Sequence, residues 1–268
     1  MYPIVNKSIV ITGSTRGIGY SLAVAFLERG CAVTISGRTQ DAVDEAVTKL
    51  GSKYIGELIF GVRCDVTDYA QLQKLWNESK SHFGRIDIWI NNAGIATPMA
   101  KFWELDHERY TDVVQTNLIG TMYGSKVALA GMLEQGYGAL YNMEGFGARG
   151  RNMRGMTLYG STKVAVNYIN RSLADETSGT PIIMGAIAPG MVITDLVTRQ
   201  FEGRMDELEK SKPILNIIAE RAETVAPVLV DKILENHKSG ATISFASPVK
   251  IMTKFITAPF NKRDLFSS

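Results

Sequence analysis

The chain has 268 residues, 45% of them hydrophobic, and a formal net charge of +2. This length and apolar content allow one full core, while the small net charge argues against a nucleic-acid-binding protein. No apolar stretch approaches the roughly 20 residues that span a bilayer, and no secretory leader is evident. We therefore expect a soluble, cytoplasmic protein without a metal site, in which Cys31 and Cys64 are free thiols.

Strands and helices alternate along the chain, as judged from the spacing of the apolar residues. The predicted strands lie near residues 8–12, 32–36, 57–64, 86–91, 138–143, 182–188 and 241–246. The predicted helices lie near residues 17–29, 39–50, 68–82, 104–134, 157–177 and 222–236. Such alternation implies right-handed crossovers and an α/β domain with a doubly wound parallel sheet of about seven strands and helices on both faces.

A glycine-rich turn joins the first predicted strand to the first predicted helix. It consists of Gly13, Ser14, Thr15, Arg16, Gly17, Ile18 and Gly19. Glycines let the main chain approach a pyrophosphate closely, and the amino end of the helix offers it unpaired N–H groups and a positive dipole. Strand, turn and helix in this order predict a dinucleotide site in a Rossmann-like fold.

The charges near the second predicted strand indicate which dinucleotide binds. No Asp or Glu follows this strand, where a carboxylate would bind the free hydroxyl groups of an adenosine ribose. Arg38 lies there instead, and Arg16 lies in the glycine-rich turn. Two guanidinium groups suit a 2′-phosphate, so we expect NADP(H) rather than NAD(H) as the cofactor.

Tyr159 and Lys163 are four residues apart in a predicted helix, so both side chains lie on one face. An ammonium group beside a phenol favours the phenolate, which would lower the pKa of Tyr159 and let it exchange a proton with a substrate oxygen. On its own, this spacing also fits a surface lysine beside a half-buried tyrosine. The other motifs of the chain favour the catalytic interpretation.

Taken together, these motifs resemble those of the short-chain dehydrogenase/reductase family over residues 5–245. They occur in the family's order: Thr12-Gly13-x-x-x-Gly17-x-Gly19, Asp65, Asn91-Asn92-Ala93-Gly94, Asn117, Tyr159-x-x-x-Lys163 and Pro189-Gly190-x-x-x-Thr194. The resemblance implies further cofactor contacts by Asp65, Val66, Asn91, Ala93, Gly94, Pro189, Gly190, Val192 and Thr194. It also implies a small-molecule substrate and a homodimer or homotetramer.

The same resemblance implies a mechanism. A hydride would pass from the nicotinamide to a carbonyl carbon while Tyr159 protonates the carbonyl oxygen. Lys163 would lower the pKa of Tyr159 and hold the nicotinamide ribose. Asn117 would keep a water molecule that links Lys163 to solvent, so that protons can be replaced.

The chain departs from the family at one catalytic position. Most members carry a Ser on the loop after the fifth strand, whereas no Ser occurs between Gly138 and Leu158. Gly145 and Phe146 stand at the matching positions, and neither can donate a side-chain hydrogen bond. Either Glu144, a main-chain N–H group of this loop, or the substrate itself must then polarise the carbonyl group.

Two interpretations of the missing Ser remain open. One is a non-catalytic relative that binds NADP(H) as a sensor or scaffold, and the other is an active subfamily with altered chemistry. The presence of Asn117, Tyr159 and Lys163 favours an active enzyme.

A closer resemblance points to one subfamily. The loop Asn142-Met-Glu-Gly-Phe-Gly and the segment that starts at Pro189 are similar to those of the chlorophyll b reductases, in which an Asp takes the place of Glu144. That subfamily reduces a ring formyl group to a hydroxymethyl group with NADPH. The alternative is reduction of another bulky, apolar carbonyl compound, such as a steroid or a quinone.

Two regions fall outside the alternating pattern. Residues 195–221 interrupt it within the proposed catalytic domain of residues 1–247, and the resemblance implies that they form a substrate lid. Residues 248–268 form a C-terminal extension with apolar residues and spaced lysines. The extension could cover the cleft, complete an oligomer interface or make peripheral contact with a membrane.

Overall fold

The computed structural model describes residues 6–201, 204–246, 248–258 and 263–266. Its strands are β1 (Ser8–Ile11), β2 (Ala32–Gly37), β3 (Ile59–Arg63), β4 (Ile88–Asn91), β5 (Gly138–Met143), β6 (Ile182–Ala188), β7 (Val192–Ile193), β8 (Glu220–Arg221) and β9 (Ala241–Ser244). A parallel sheet of seven strands has the order β3-β2-β1-β4-β5-β6-β9, while β7 pairs with β8 in a separate parallel ladder. This topology confirms the predicted fold class.

Helices cover both faces of the large sheet. They are α1 (Gly17–Leu27), α2 (Gln40–Gly51), α3 (Tyr69–Phe83), α4 (His107–Val114), α5 (Gly120–Gln135), α6 (Thr157–Glu176), α7 (Asp195–Thr198), α8 (Met205–Ile218), α9 (Ala222–Leu234) and α10 (Pro248–Thr257). Within the described ranges, no helix is both long enough and apolar enough to cross a membrane.

Strand β1 shows how the sheet divides the core into two layers. Ile9 and Ile11 pack with residues of α1 and α9, while Val10 packs with residues of α3 and α5. All three side chains are fully buried. Because the strand is covered on both faces, its sequence is apolar at consecutive positions, which is typical of a parallel sheet between two helical layers.

The prediction of one continuous helix over residues 104–134 is wrong in one respect. A π-helical turn at Gln115–Ile119 separates α4 from α5. The buried Asn117 lies in this turn, where its amide accepts a hydrogen bond from the Ile95 N–H group at 2.8 Å and donates one to the Ile95 carbonyl at 2.9 Å. Apolar spacing does not reveal such a turn, because a distant loop stabilises it.

The parallel sheet brings its functional loops together at one edge. Strands β1, β4, β5 and β6 are followed there by the glycine-rich turn, the segment that starts at Asn92, the loop that starts at Glu144 and the segment that starts at Pro189. The strand order reverses between β1 and β4. In a doubly wound sheet, ligands bind at the carboxyl edge beside this reversal.

Candidate active site

The glycine-rich turn is packed so closely that only glycine fits at two positions. Gly13 has a positive φ of 62°, and a Cβ atom on it would lie 2.8 Å from the Ala93 Cα atom. A Cβ atom on Gly19 would lie 2.6 Å from the Gly13 carbonyl oxygen. The turn therefore lies directly against the segment after β4, and the cradle it offers is built from main chain.

Two polar side chains that were not among the predicted site residues, those of Thr12 and Asn92, hold the turn in place. Thr12 Oγ1 accepts hydrogen bonds from the N–H groups of Asn92 and Ala93 at 3.0 and 3.1 Å. Asn92 Nδ2 donates to the carbonyl oxygens of Thr12 and Gly13, both at 2.9 Å. Thr12 and Asn92 belong to motifs that marked the family, but their supporting contacts appear only in three dimensions.

Two predicted cofactor residues use their side chains within the protein. The Ser14 hydroxyl is buried, donates to a main-chain carbonyl of β1 at 2.7 Å and accepts from the Ser36 N–H group at 3.0 Å. Asn91 accepts from the Trp89 indole and donates to Asn142, both at 2.8 Å. The side chains of Ser14 and Asn91 are therefore engaged within the protein, and the predicted contacts of these residues with a cofactor stay predictions.

Asp65 and Val66 follow β3 at the side of the cleft. Asp65 Oδ1 accepts hydrogen bonds from the N–H and hydroxyl groups of Thr67 at 3.0 and 2.8 Å. Val66 is buried against α5, where a Cβ atom on Gly120 would lie 2.7 Å from Val66 Cγ2. Both residues thus have structural contacts, and their predicted contact with an adenine stays a prediction.

Arg16 and Arg38 flank one region at the end of β2. A Cβ atom on Gly37 would lie 2.6 Å from Thr15 Cγ2, so the glycine-rich turn touches the strand end that precedes Arg38. Arg16 is 59% exposed, and its Nη1 atom lies 3.8 Å from Asp195 Oδ2. Arg38 is also exposed. The two cations are therefore accessible to an anionic ligand.

Tyr159 and Lys163 lie on the inner face of α6 and are only 6% and 5% exposed. Lys163 Nζ lies 5.7 Å from the centroid of the Tyr159 ring and donates to the Met143 carbonyl at 3.2 Å. Burial raises the pKa of Tyr159, contrary to the predicted lowering. Burial also lowers the pKa of Lys163 to about 8, an effect that the nearby Glu144 carboxylate opposes. Loss of water thus penalises the charged form of each group.

Asn117 and Gly94 lie close to Lys163. A Cβ atom on Gly94 would lie 3.3 Å from Asn117 Oδ1 and 3.8 Å from Lys163 Nζ. The Asn117 amide, however, is bonded to both main-chain groups of Ile95, and its Nδ2 atom lies 3.3 Å from Thr162 Oγ1. The side chain thereby fixes the segment after β4, and the water expected at Asn117 stays a prediction.

The loop after β5 presents main chain to the Tyr159 hydroxyl. A Cβ atom on Gly145 would lie 2.2 Å from the Tyr159 hydroxyl oxygen, a contact that real Cβ atoms do not make. Gly147 has a φ of 90°, and a Cβ atom there would lie 3.2 Å from the Gly160 Cα atom. Packing against α6 therefore excludes a Ser at position 145 unless Tyr159 moves.

Glu144 is buried, and its carboxylate accepts hydrogen bonds from the protein itself. Asn167 Nδ2 donates to Glu144 Oε1 at 2.7 Å, and Arg149 Nε lies 3.5 Å from Glu144 Oε2. A carboxylate that accepts from two donors is not placed to donate to a substrate carbonyl. Glu144 instead joins the loop to α6 and puts a negative charge near Lys163.

The segment after β6 approaches the glycine-rich turn through Thr194. A Cβ atom on Gly17 would lie 3.6 Å from Thr194 Cγ2. Pro189 and Gly190, which has a φ of 79°, form the turn between β6 and β7. Val192 then pairs with Glu220 in the short β7–β8 ladder, which holds Thr194 opposite the glycine-rich turn. Contacts of these residues with a nicotinamide stay predictions.

The region predicted as a lid contributes four buried apolar side chains to one cluster. The cluster consists of Val197, Phe201, Leu208 and Leu215, with Met99 and Met191 packed against it. Met99 N–H donates to the Gln200 carbonyl at 3.0 Å, which joins the lid segment to the segment after β4. Large exposed apolar side chains lie in the segment after β4 (Phe102 and Trp103), in the segment after β5 (Met153) and at the start of α8 (Met205). Such a surface suits an apolar ligand, and the lid motion itself stays a prediction.

The C-terminal extension is attached to the base of the lid segment through Glu220. Lys254 Nζ lies 2.7 Å from Glu220 Oε1, and the Arg263 guanidinium group pairs with the same carboxylate. Burial raises the pKa of Glu220, but hydrogen bonds from Arg263 and Lys254 outweigh it and hold the pKa below its usual range. The exposed apolar side chains of α10 include Met252, Phe255 and Ile256.

The main-chain cradle at the sheet reversal and the buried Tyr159–Lys163 pair together define an oxidoreductase that works with a dinucleotide. The family model for the short chain dehydrogenases matches residues 7–205, and the chain belongs to this family. The predicted family is thereby confirmed.

Two curated plant proteins, both chloroplastic, are similar to the chain. Chlorophyll(ide) b reductase NOL of Arabidopsis thaliana is 36% identical over 259 residues, which cover 93% of this chain and 73% of that protein. The probable chlorophyll(ide) b reductase NYC1 of the same species is 32% identical over 268 residues, covering 94% and 53%. The chain thus spans about half the length of NYC1.

Among solved structures, ElxO with NADP bound has a TM-score of 0.76 and 28% sequence identity. The match covers 90% of this chain and 97% of the ElxO chain. The likeness therefore extends over nearly the whole of a chain that holds NADP.

Proposed function

We propose that this protein uses NADPH to reduce a carbonyl group on a bulky, apolar small molecule, and that its first candidate substrate is a formyl-bearing chlorophyll b-type tetrapyrrole. The observation that carries the proposal is the buried Tyr159 hydroxyl, which lies against Gly145 and beside Lys163 at the carboxyl edge of the sheet. The exposed apolar side chains of Phe102, Trp103 and Met153, in the segments after β4 and β5, and the similarity to the two plant reductases support the substrate class.

The residues of the cleft fit NADP(H). Side chains at Gly13 and Gly19 would collide with the main chain or with Asn92, so these glycines leave an open main-chain cradle for a pyrophosphate. Arg16 and Arg38 are exposed cations where an NAD-binding site would carry a carboxylate. When bound, NADPH supplies the hydride for the carbonyl carbon.

Tyr159 supplies the proton. Its raised pKa keeps the phenol protonated at neutral pH, so it is ready to donate to the carbonyl oxygen as negative charge develops there. The Lys163 ammonium group, 5.7 Å from the ring centroid, then stabilises the phenolate that remains. This attraction is strong because the site is buried.

Main-chain N–H groups replace the missing Ser. Those of Gly145, Phe146 and Gly147 have no hydrogen-bond acceptor within the part of the chain that the structure describes. They belong to the loop that lies against the Tyr159 hydroxyl, so they are candidate donors to the oxygen that Tyr159 protonates. Donors of this kind stabilise an oxyanion without the reorganisation that a mobile side chain requires.

A matched pair of tetrapyrroles tests the proposal. NADPH oxidation is followed with a formyl-bearing chlorin and with the same chlorin carrying a methyl group at that position, and mass spectrometry checks for a product with two added hydrogens. We expect turnover of the formyl compound alone, and none with the Tyr159→Phe variant. Turnover of steroid ketones or quinones instead would replace the chlorin as substrate but retain the reductase.

NADPH binding without oxidation by any carbonyl compound would favour a non-catalytic sensor.

The predicted cytoplasmic location and the homodimer or homotetramer stay predictions. Light scattering on the purified chain would decide the oligomeric state.

A further inference from the structure

Arg63 belongs to none of the motifs described above. It is the last residue of β3, is exposed, and pairs in register with Gly37 of β2. Its Nε atom donates a hydrogen bond to the Arg38 carbonyl at 3.0 Å. The guanidinium group of Arg63 therefore lies against the main chain of the residue that is predicted to select the cofactor.

The ends of β2 and β3 are fastened together at this point. Cys64 N–H donates to the Gly37 carbonyl at 2.8 Å, and the next carbonyl along the chain, that of Arg38, accepts from Arg63. Gly37 in turn touches Thr15 of the glycine-rich turn. Arg63 thus contacts Arg38 directly and is connected to the glycine-rich turn only through Gly37.

The charges around Arg63 are not balanced by nearby acids. Across the described ranges, no carboxylate lies within 4.0 Å of the guanidinium group of Arg38 or Arg63. The Nε atom of Arg63 is engaged, which leaves its two terminal nitrogens available for an anion. A guanidinium group presents such nitrogens as a fork that matches phosphate oxygens.

We propose that Arg63 is a specificity-determining residue that binds the 2′-phosphate of NADP(H) through its terminal nitrogens. Its Nε atom at the same time holds the Arg38 main chain, so that both guanidinium groups face one phosphate. The proposal rests on the NADP(H) part of the proposed function, and it adds a third cation from a strand whose end lies outside the recognised motifs.

Calorimetric titration of the full chain with NADPH, NADH, 2′,5′-ADP and 5′-AMP tests this role without any substrate. Arg63→Gln should weaken binding of NADPH and 2′,5′-ADP by about tenfold or more, the usual contribution of one charge-assisted hydrogen bond. Binding of NADH and 5′-AMP should change by less than about twofold, because neither ligand carries the 2′-phosphate. Arg171→Gln, which removes an exposed arginine on α6, is the matched control.

A double variant distinguishes direct binding of the phosphate by Arg63 from positioning of Arg38 by Arg63. If Arg63 touches the phosphate, Arg63→Gln should still weaken NADPH binding in an Arg38→Gln background; if it only positions Arg38, the effect should vanish there. Vanishing of the effect, or equal loss of NADPH and NADH binding, would overturn the proposal. Equal affinity of the unmodified chain for NADPH and NADH would instead contradict the cofactor part of the proposed function.

Discussion

The cleft contains two sets of polar residues that differ in their exposure to water. The catalytic pair, Tyr159 and Lys163, is almost completely buried. Burial raises the pKa of Tyr159 and lowers that of Lys163, which favours the neutral form of each residue. The arginine cluster, Arg16, Arg38 and Arg63, is exposed. A charge that forms in the buried pair interacts strongly with its neighbours, whereas water and salt screen the exposed cluster.

Because of this difference, we expect substitutions in the two groups to affect different quantities, turnover in one case and cofactor affinity in the other. Substitutions in the catalytic pair or its packing should change turnover, because they alter a dry site where a proton moves. Substitutions in the arginine cluster should change cofactor affinity in a salt-dependent manner, because those cations act on an anion at the surface.

The largest effect is expected for Tyr159→Phe, which removes only the hydroxyl group. Turnover should fall by about 10²-fold or more, the usual contribution of a general acid, while the dissociation constant for NADPH stays unchanged. Steady-state kinetics and a cofactor titration measure the two quantities. Near-parental turnover would mean that another group donates the proton and that Tyr159 and Lys163 are not the catalytic pair.

A smaller loss is expected for Gly145→Ala. The new methyl group would begin 2.2 Å from the Tyr159 hydroxyl oxygen, so the phenol must move. A displacement of about 1 Å can cost up to about 10²-fold in rate, and we expect a loss of at least about tenfold in kcat. Gly160→Ala is the control, since a Cβ atom there meets nothing within 4 Å. Equal kcat values for the two variants would show that packing at position 145 does not position Tyr159.

In the exposed cluster, Arg16→Gln should weaken NADPH binding by about tenfold with little change in NADH binding, because one charge-assisted contact is lost. The preference of the unmodified protein for NADPH over NADH should also shrink as the salt concentration rises. Titrations at low and high salt measure both effects. A preference that salt does not alter would mean that the arginine cluster is shielded when the cofactor binds.

The pH dependence tests the buried pair. Lys163 carries its proton below about pH 8 and loses it above, so kcat should be level below that pH and fall above it. Glu144 raises the pKa of Lys163, so Glu144→Gln should move the alkaline limb of the kcat profile to lower pH. Glu45→Gln, at an exposed position of α2, should leave the limb in place. A limb that moves to higher pH would contradict this role.

The smallest effect concerns Asp195, which pairs with Arg16 at 3.8 Å. Asp195→Asn should strengthen NADPH binding by about two- to fivefold at low salt, since an exposed ion pair contributes about 0.2–1 kcal/mol. Asp175→Asn, at an exposed position of α6, serves as the control. Weaker binding by the Asp195 variant would show that the carboxylate supports the cofactor site and does not compete for Arg16.

The order of strands and helices was predictable because each crossover repeats a recognisable spacing of apolar residues. The π-helical turn at Gln115–Ile119 was not, since it depends on hydrogen bonds between Asn117 and Ile95, which lie in different elements. The β7–β8 ladder was missed for a similar reason. Its two short strands pair Val192 with Glu220 across the whole lid segment.

The site was predictable in its residue types and less so in its electrostatics. The glycine-rich turn and the Tyr159–Lys163 spacing are local patterns, and the structure brings both to one edge of the sheet. The direction of the Tyr159 pKa was predicted wrongly, because attraction by Lys163 was visible in the sequence while the loss of water was not. The partners of Glu144, Asn167 and Arg149, likewise became evident only in the folded chain.

The sequence by itself determined the family, the fold class and the residues that meet at the cleft, because short motifs in a set order carry that information. Only the tertiary structure decided that no side chain fits at Gly145, that Glu144 is held by protein donors, and that Arg63 lies against Arg38. These facts depend on distances between segments far apart in the chain. Such distances follow from the packing of whole helices and strands, which no local spacing of residues specifies.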